Sequence, residues 1–167
     1  MEDEEEVAIF HAIYNDDLVA LEKELTNSNI NFYIDEFGGE TPLLYAVMME
    51  KYRMVDCLLD HGADMYIKNI FGDTAFHLAA KKGYFEMVRS FCAHNIMIDV
   101  VGQEGFTALN YAVWRDFTNI AKFLIERGAS LNIPDDVAHK TPLDRIKEKE
   151  NNELLSLIDS RIPSGPL

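Results

Sequence analysis

Five histidines and two cysteines are the side chains best suited to chemistry: His11, His61, His77, His94 and His139, with Cys57 and Cys92. His61 and His94 stand 33 residues apart, and Cys57 and Cys92 stand 35 apart. Imidazole and thiolate are the ligands of a tetrahedral zinc site, but such sites are built on close pairs such as CxxC or HxxxH. No such pair occurs. Both cysteines sit inside apolar helical patterns and read as reduced core residues, not as a disulfide frame. His61 and His94 occupy matched places near helix ends. They could face each other, or simply complement the negative end of a helix dipole.

Other chemistries lack their motifs. The chain has no GxSxG, no GxxxxGK[ST] and no GxGxxG. Gly38 and Gly39 lead into a helical pattern, the arrangement that favours an anion. Asp35, Glu36 and Glu40 surround them and would repel a phosphate. Serine is scarce, and none stands near a histidine in a recognisable order. The sequence therefore predicts no catalytic residue, no metal ligand and no cofactor.

The elements that carry these residues follow from composition and spacing. The chain has 167 residues, 48% of them apolar, enough to build a core. No stretch approaches the roughly 18 apolar residues of a membrane helix. The start, MEDEEE, has the wrong charge for a secretion or mitochondrial signal. An intracellular protein, cytoplasmic or nuclear, is expected. Formal net charge is −14. That charge repels nucleic-acid backbones and favours basic partners. The acidic run Glu2 to Glu6 is either a solvated tail or a complement to the dipole of the first helix.

One phrase recurs: ETPLLYA, DTAFHLA, FTALNYA and KTPLDRI. Its threonines, Thr41, Thr74 and Thr107, are 33 apart, and Thr141 follows after 34. Such periodicity marks a stacked array, because one helix pair cannot bury its own apolar face. Each threonine can cap a helix. Pro42 and Pro142 stand at the first helical position, where the missing N–H costs nothing. Leu43, Ala46 and Val47 recur as Phe76, Ala79 and Ala80, then as Leu109, Ala112 and Val113. In the second helices Val55, Leu58 and Leu59 recur as Val88, Phe91 and Cys92, then as Ala121, Leu124 and Ile125. Each set gives one apolar face. Gly62, Asn95 and Gly128 stop the second helices.

The phrases resemble the ankyrin TPLHxA motif, and LLDHGADMY and LIERGASLN resemble the ankyrin ending LLxxGAxxN. The resemblance covers about residues 5 to 160. It implies an all-α repeat solenoid, an ankyrin-repeat stack of about five helix-turn-helix units with β-hairpin finger loops. The units run about 5–35, 36–68, 69–101, 102–134 and 135–161, as one domain between an acidic tail, 1–4, and a flexible tail, 162–167. The first and last units serve as caps, with Leu154, Leu155 and Ile158 covering the preceding repeat. Glu50 and Asp116 replace a family glycine that Gly83 keeps, at an expected cost of about 1 kcal/mol each if φ is positive. By the same resemblance, His77 holds neighbouring turns by hydrogen bonds.

It further implies a non-catalytic protein-interaction module, an adaptor, scaffold or inhibitor, that binds through finger turns and the exposed side of the first helices. An inhibitor-of-NF-kappaB-like or kinase-inhibitor-like regulator is the alternative within the family. An enzyme or metal protein would have only the histidines and cysteines to support it. Carried over position by position, the binding residues are Phe37, Glu40, Tyr45, Met48 and Met49; then Ile70, Phe71, Asp73, Lys81 and Lys82; then Gln103, Glu104, Phe106, Tyr111, Trp114 and Arg115. Phe37, Ile70, Phe71, Phe106, Met48, Met49 and Trp114 would mostly be exposed, as an apolar patch set among acids. A peptide or helix with basic and apolar residues fits it. The protein is expected to be a monomer that binds neither nucleic acid directly nor a membrane.

Overall fold

The structure, a computed structural model, describes residues 4–25, 30–33 and 40–161. Phe37, the Gly38–Gly39 turn, the first acids of the head and the PSGPL tail lie outside the described residues. Ten α-helices form among those described, in five pairs: α1 (Glu4–Asn15) and α2 (Leu18–Glu24), α3 (Pro42–Met48) and α4 (Tyr52–Asp60), α5 (Ala75–Lys82) and α6 (Phe85–Ala93), α7 (Ala108–Trp114) and α8 (Thr118–Glu126), α9 (Pro142–Glu148) and α10 (Asn152–Arg161). The chain divides into two compact units, Met1–Ile96 and Met97–Leu167. In the first unit α1, α3 and α5 pack in one row, and α2, α4 and α6 in a second. In the second unit α7 packs on α9 and α8 on α10.

The first helices of the threonine repeats start for one local reason. Thr41, Thr74, Thr107 and Thr141 are their N-caps, each in an extended conformation. Thr41 Oγ1 accepts from the Leu44 N–H at 3.3 Å. Thr107 Oγ1 accepts from the Asn110 N–H at 3.2 Å, and Asn110 Oδ1 accepts from the Thr107 N–H at 3.0 Å. Asp144 completes the same reciprocal pair with Thr141 at 3.1 and 3.0 Å. These are capping boxes, in which two orphan donors are satisfied at once. His77 plays that part for Thr74: its Nδ1 accepts from the Thr74 N–H at 3.2 Å. A backbone N–H needs a lone pair, so the ring proton sits on Nε2.

Left-handed residues end the helices. Between first and second helices φ is +60° at Asp16, +57° at Glu50, +82° at Gly83, +62° at Asp116 and +51° at Glu150. Gly83 adopts this φ without the Cβ clash that costs the others about 1 kcal/mol each. After the second helices Gly62, Asn95 and Gly128 take positive φ as well, as the motif predicts.

The core follows the repeated apolar positions. Leu43, Ala46, Val47, Phe76, Ala79, Ala80, Leu109, Ala112 and Val113 are buried. Val55, Leu58, Leu59, Val88, Phe91, Ala121, Leu124 and Ile125 are buried on the second helices, and Cys92 is half-buried. Each large side chain so placed contributes about 1.5–3 kcal/mol. In α10, Leu154 and Ile158 are buried and Leu155 is half-buried.

The fingers differ from expectation. Among the described residues no β-ladder forms; an isolated bridge joins Lys68 and Thr74, and Glu40 has bridge geometry as well. The cause is Asn69. Its Oδ1 accepts from the N–H groups of Phe71 and Asp73 at 3.1 and 3.0 Å, and its own N–H donates to the Asp73 carbonyl at 2.8 Å. The side chain closes the loop at its base, beside the Lys68–Thr74 bridge.

The capping boxes differ in burial, and that sets a test. Asn110 is fully buried and its Nδ2 also donates to the Ile133 carbonyl at 3.2 Å, whereas Asp144 is exposed. Asn110→Ala leaves the Thr107 N–H buried without a partner and is expected to cost about 2–3 kcal/mol. Asp144→Ala is expected to cost about 0.5–1 kcal/mol. Urea unfolding of both variants checks this; equal losses would contradict it.

Candidate functional site

In the first unit the 69–73 turn exposes two apolar side chains. With Asn69 and Asp73 buried, Ile70 and Phe71 are left outward, 77% and 61% exposed. Met48, the last residue of α3, is exposed, and Met49 beside it is half-buried. Tyr45 is half-buried, its ring packed edge-on to Phe10 with centroids 5.0 Å apart. Lys81 reaches back to the buried Asp73 at 3.2 Å. Lys82 is exposed and lies 5.9 Å over the Tyr84 ring.

The second unit presents one aromatic group. Trp114 ends α7 and is 43% exposed. The Arg115 guanidinium stacks on it, 4.5 Å from the ring centroid. Lys149 donates to the Trp114 carbonyl at 2.9 Å and pairs with Asp116 at 2.7 Å, which fixes the turn that carries the stack. Glu104 is exposed at φ +54°, and Gln103 is half-buried.

Four of the expected surface residues are not at the surface: Glu40, Asp73, Phe106 and Tyr111 are all 6% exposed or less. Phe106 was expected among the exposed apolar residues. It packs instead between the Tyr111 ring at 4.7 Å and the Trp114 edge at 5.9 Å, with the Arg145 guanidinium 5.8 Å away. Arg145 is held in turn by the fully buried Asp135. Phe106 and Tyr111 therefore support Trp114 from beneath.

A single register explains three of these placements. Glu40, Asp73, Phe106 and Lys140 all stand one residue before the capping threonine. In three repeats that residue engages the one eight positions later, at the end of the first helix. Asp73 pairs with Lys81 at 3.2 Å, Lys140 with Glu148 at 2.7 Å, and Phe106 meets Trp114 edge-on. The exception is Glu40, whose place eight residues on is taken by Met48. Its Oε2 is buried without a hydrogen-bond partner. Burial pushes its carboxyl above the ordinary range, against a hydrogen bond from Asn69 that lowers it.

Neither the histidines nor the cysteines gather into a centre. Among the described residues no three His, Cys, Asp or Glu side chains are placed to hold a metal ion. Cys57 and Cys92 are not joined in a disulfide, and burial raises the Cys57 thiol. His61 and His94 cap α4 and α6. Their Nδ1 atoms lie 2.8 and 2.9 Å from the carbonyls of Cys57 and Ser90. His94 does not face His61; its Nε2 meets Asp60 at 3.1 Å. Asp135, Arg145 and Lys149 brace the Trp114 turn and were not singled out by the sequence. Their partners are 10 to 35 positions away, so no local pattern betrays them.

The Ser90 carbonyl and the Asp60 carboxylate together raise the His94 pKa above the ordinary histidine value. A raised folded-state pKa adds stability that is complete below about pH 6.5 and disappears as pH rises through the folded value. Asp60→Asn is expected to lower the His94 midpoint in NMR titration. The same variant should flatten the stability loss that follows above about pH 6.5. An unchanged midpoint would show that Asp60 does not act on His94.

Comparison with known proteins accounts for this architecture. The family model described as ankyrin repeats (three copies) matches residues 50–135, just over half of the chain. Alpha-latroinsectotoxin-Lt1a of Latrodectus tredecimguttatus is 34% identical over 119 residues, 70% of this chain and 8% of that protein. A putative ankyrin repeat protein of fowlpox virus (strain NVSL) is 31% identical over 139 residues, 80% of this chain and 41% of that protein. The nuclear factor NF-kappa-B p105 subunit of Gallus gallus is 30% identical over 128 residues, 75% of this chain and 13% of that protein. The chain thus spans less than half the length of each. Ankyrin repeats are in general non-catalytic modules of protein–protein interaction. With its threonine-capped helix pairs and its matched residues, the chain belongs to the ankyrin-repeat family.

Proposed function

We propose that this chain is a non-catalytic adaptor, scaffold or inhibitor that binds a protein segment carrying apolar anchors and basic residues. The observation that carries the reading is apolar surface exposed on an acidic chain: Ile70 and Phe71 in one unit, Trp114 in the other, at a formal charge of −14. Large exposed apolar side chains on ordered turns mark binding sites. Trp and Arg are the residue types most often found to dominate interfaces, and here they are stacked and braced before any partner arrives. The negative charge steers a basic segment toward the surface and repels nucleic-acid phosphates. No helix among the described residues is long and apolar enough to cross a membrane. A monomer within the cytoplasm or nucleus fits two cysteines outside any disulfide and the exposed polar helix faces.

The test is affinity capture from native lysate, followed by calorimetry with the captured protein. Phe71→Ala and Trp114→Ala are each expected to weaken binding at least about tenfold, the loss of an interface anchor. Raising salt from about 0.05 to 0.5 M is expected to slow association. Undiminished binding by both variants would remove the turn surfaces from the reading.

A further inference from the structure

We infer that Glu40 is a built acceptor for a cationic side chain of the partner, a lysine or arginine that enters over Met48. The inference rests on the proposed binding role and names the residue of the first unit that receives the partner's charge.

The argument starts from the repeats themselves. In three of the four repeats the residue before the capping threonine has a complement eight positions on. For Asp73 it is a lysine, for Lys140 a glutamate and for Phe106 a tryptophan. Asp73 shows what a buried carboxylate needs at this place: its side chain is 1% exposed, and Lys81 comes in from the rim to meet it. Glu40 is buried to the same degree, 5% exposed, yet the matched residue is a methionine with no charge to give. Asn69 hydrogen-bonds the carboxyl, and Oε2 keeps no partner. A buried acceptor left unmet is costly, and so its retention calls for an occupant.

Geometry and chemistry select that occupant. Met48 is 42% exposed, so the place from which Lys81 reaches Asp73 is, in this repeat, a flexible thioether at the surface. A lysine or arginine of a partner can displace it along the same route. Asn69, which holds Glu40, is also the residue that closes the turn and leaves Ile70 and Phe71 outward. One segment can therefore place an apolar residue on the turn and a cation at the carboxylate. Burial holds the carboxyl pKa up, and a cation placed beside it would bring it down.

Random dodecapeptides displayed on phage, selected against the full chain, supply the probe. Enriched peptides are expected to lose binding to Phe71→Ala and to carry a lysine or arginine. Replacing that cation by glutamine should weaken a synthetic peptide about tenfold on the wild type. The same replacement should matter less than about twofold on Glu40→Gln and on Met48→Lys. The second variant fills the acceptor from within, so it should also raise the unfolding midpoint and lower the Glu40 pKa seen by NMR, which excludes misfolding as the cause. A cation effect of equal size on all three proteins would mean attraction to the general negative field and would overturn the assignment. Peptides that need Phe71 but carry no cation would overturn it while leaving the binding role intact. Peptides indifferent to Phe71, or no enrichment at all, would overturn both.

Discussion

The structure depends on the polar contact that starts each first helix. A stack of short helices must bury helix ends, and each end carries four N–H groups with no intrahelical partner. The threonine hydroxyl and the side chain three residues later meet two of those donors, inside the core at Thr74 and Thr107 and nearer the surface at Thr141. The partner residue varies while the contact persists: His77, Asn110 and Asp144 each do it, with an imidazole nitrogen, an amide oxygen and a carboxylate oxygen. In the repeat where Leu44 stands at that place, Thr41 caps alone and Pro42 removes one donor. Once the ends can be buried, alanines at 46, 79, 80 and 112 let helices approach, and the apolar faces close on one another.

The same contact limits what can vary. Helices of seven to nine residues in these repeats are too short to be stable alone. Turns between them are forced into a left-handed residue at a fixed place, and four of the five use Asp or Glu there instead of Gly. That strain is about 1 kcal/mol per turn. It is small against the burial of residues such as Phe76, Phe91 and Leu58. Packing holds the turns, and the turns in turn set where Met48, Lys81 and Trp114 come to lie at the helix ends.

What the sequence disclosed follows from this order of causes. Threonine spacing, apolar faces, the left-handed places at Glu50, Asn95 and Asp116, and the helix-ending glycines are all local, and each was legible. The fingers were not. Whether a loop ladders or closes depends on where one amide side chain points, and Asn69 points inward. The residue before the threonine was misread for a related reason. Glu40, Asp73 and Phe106 are of different chemical types, and turn position alone suggested exposure. Only the fold brings Asp73 and Phe106 beside the ends of their own helices, where an ion pair and an aromatic pair serve the same place.

Surface and core are therefore linked by one register. At Phe106 the inward residue is aromatic, and it lifts Trp114 into solvent with Arg115 stacked on it. At Asp73 it is acidic and draws Lys81 back from solvent, which takes that lysine out of the pool of free surface charge. A carboxylate or a ring at this place thus goes with a helix end whose lysine is drawn inward or one whose indole stands in solvent. The helix-end surface can therefore differ from repeat to repeat without altering the capping contact, because the place before the threonine lies outside the helix whose end it meets.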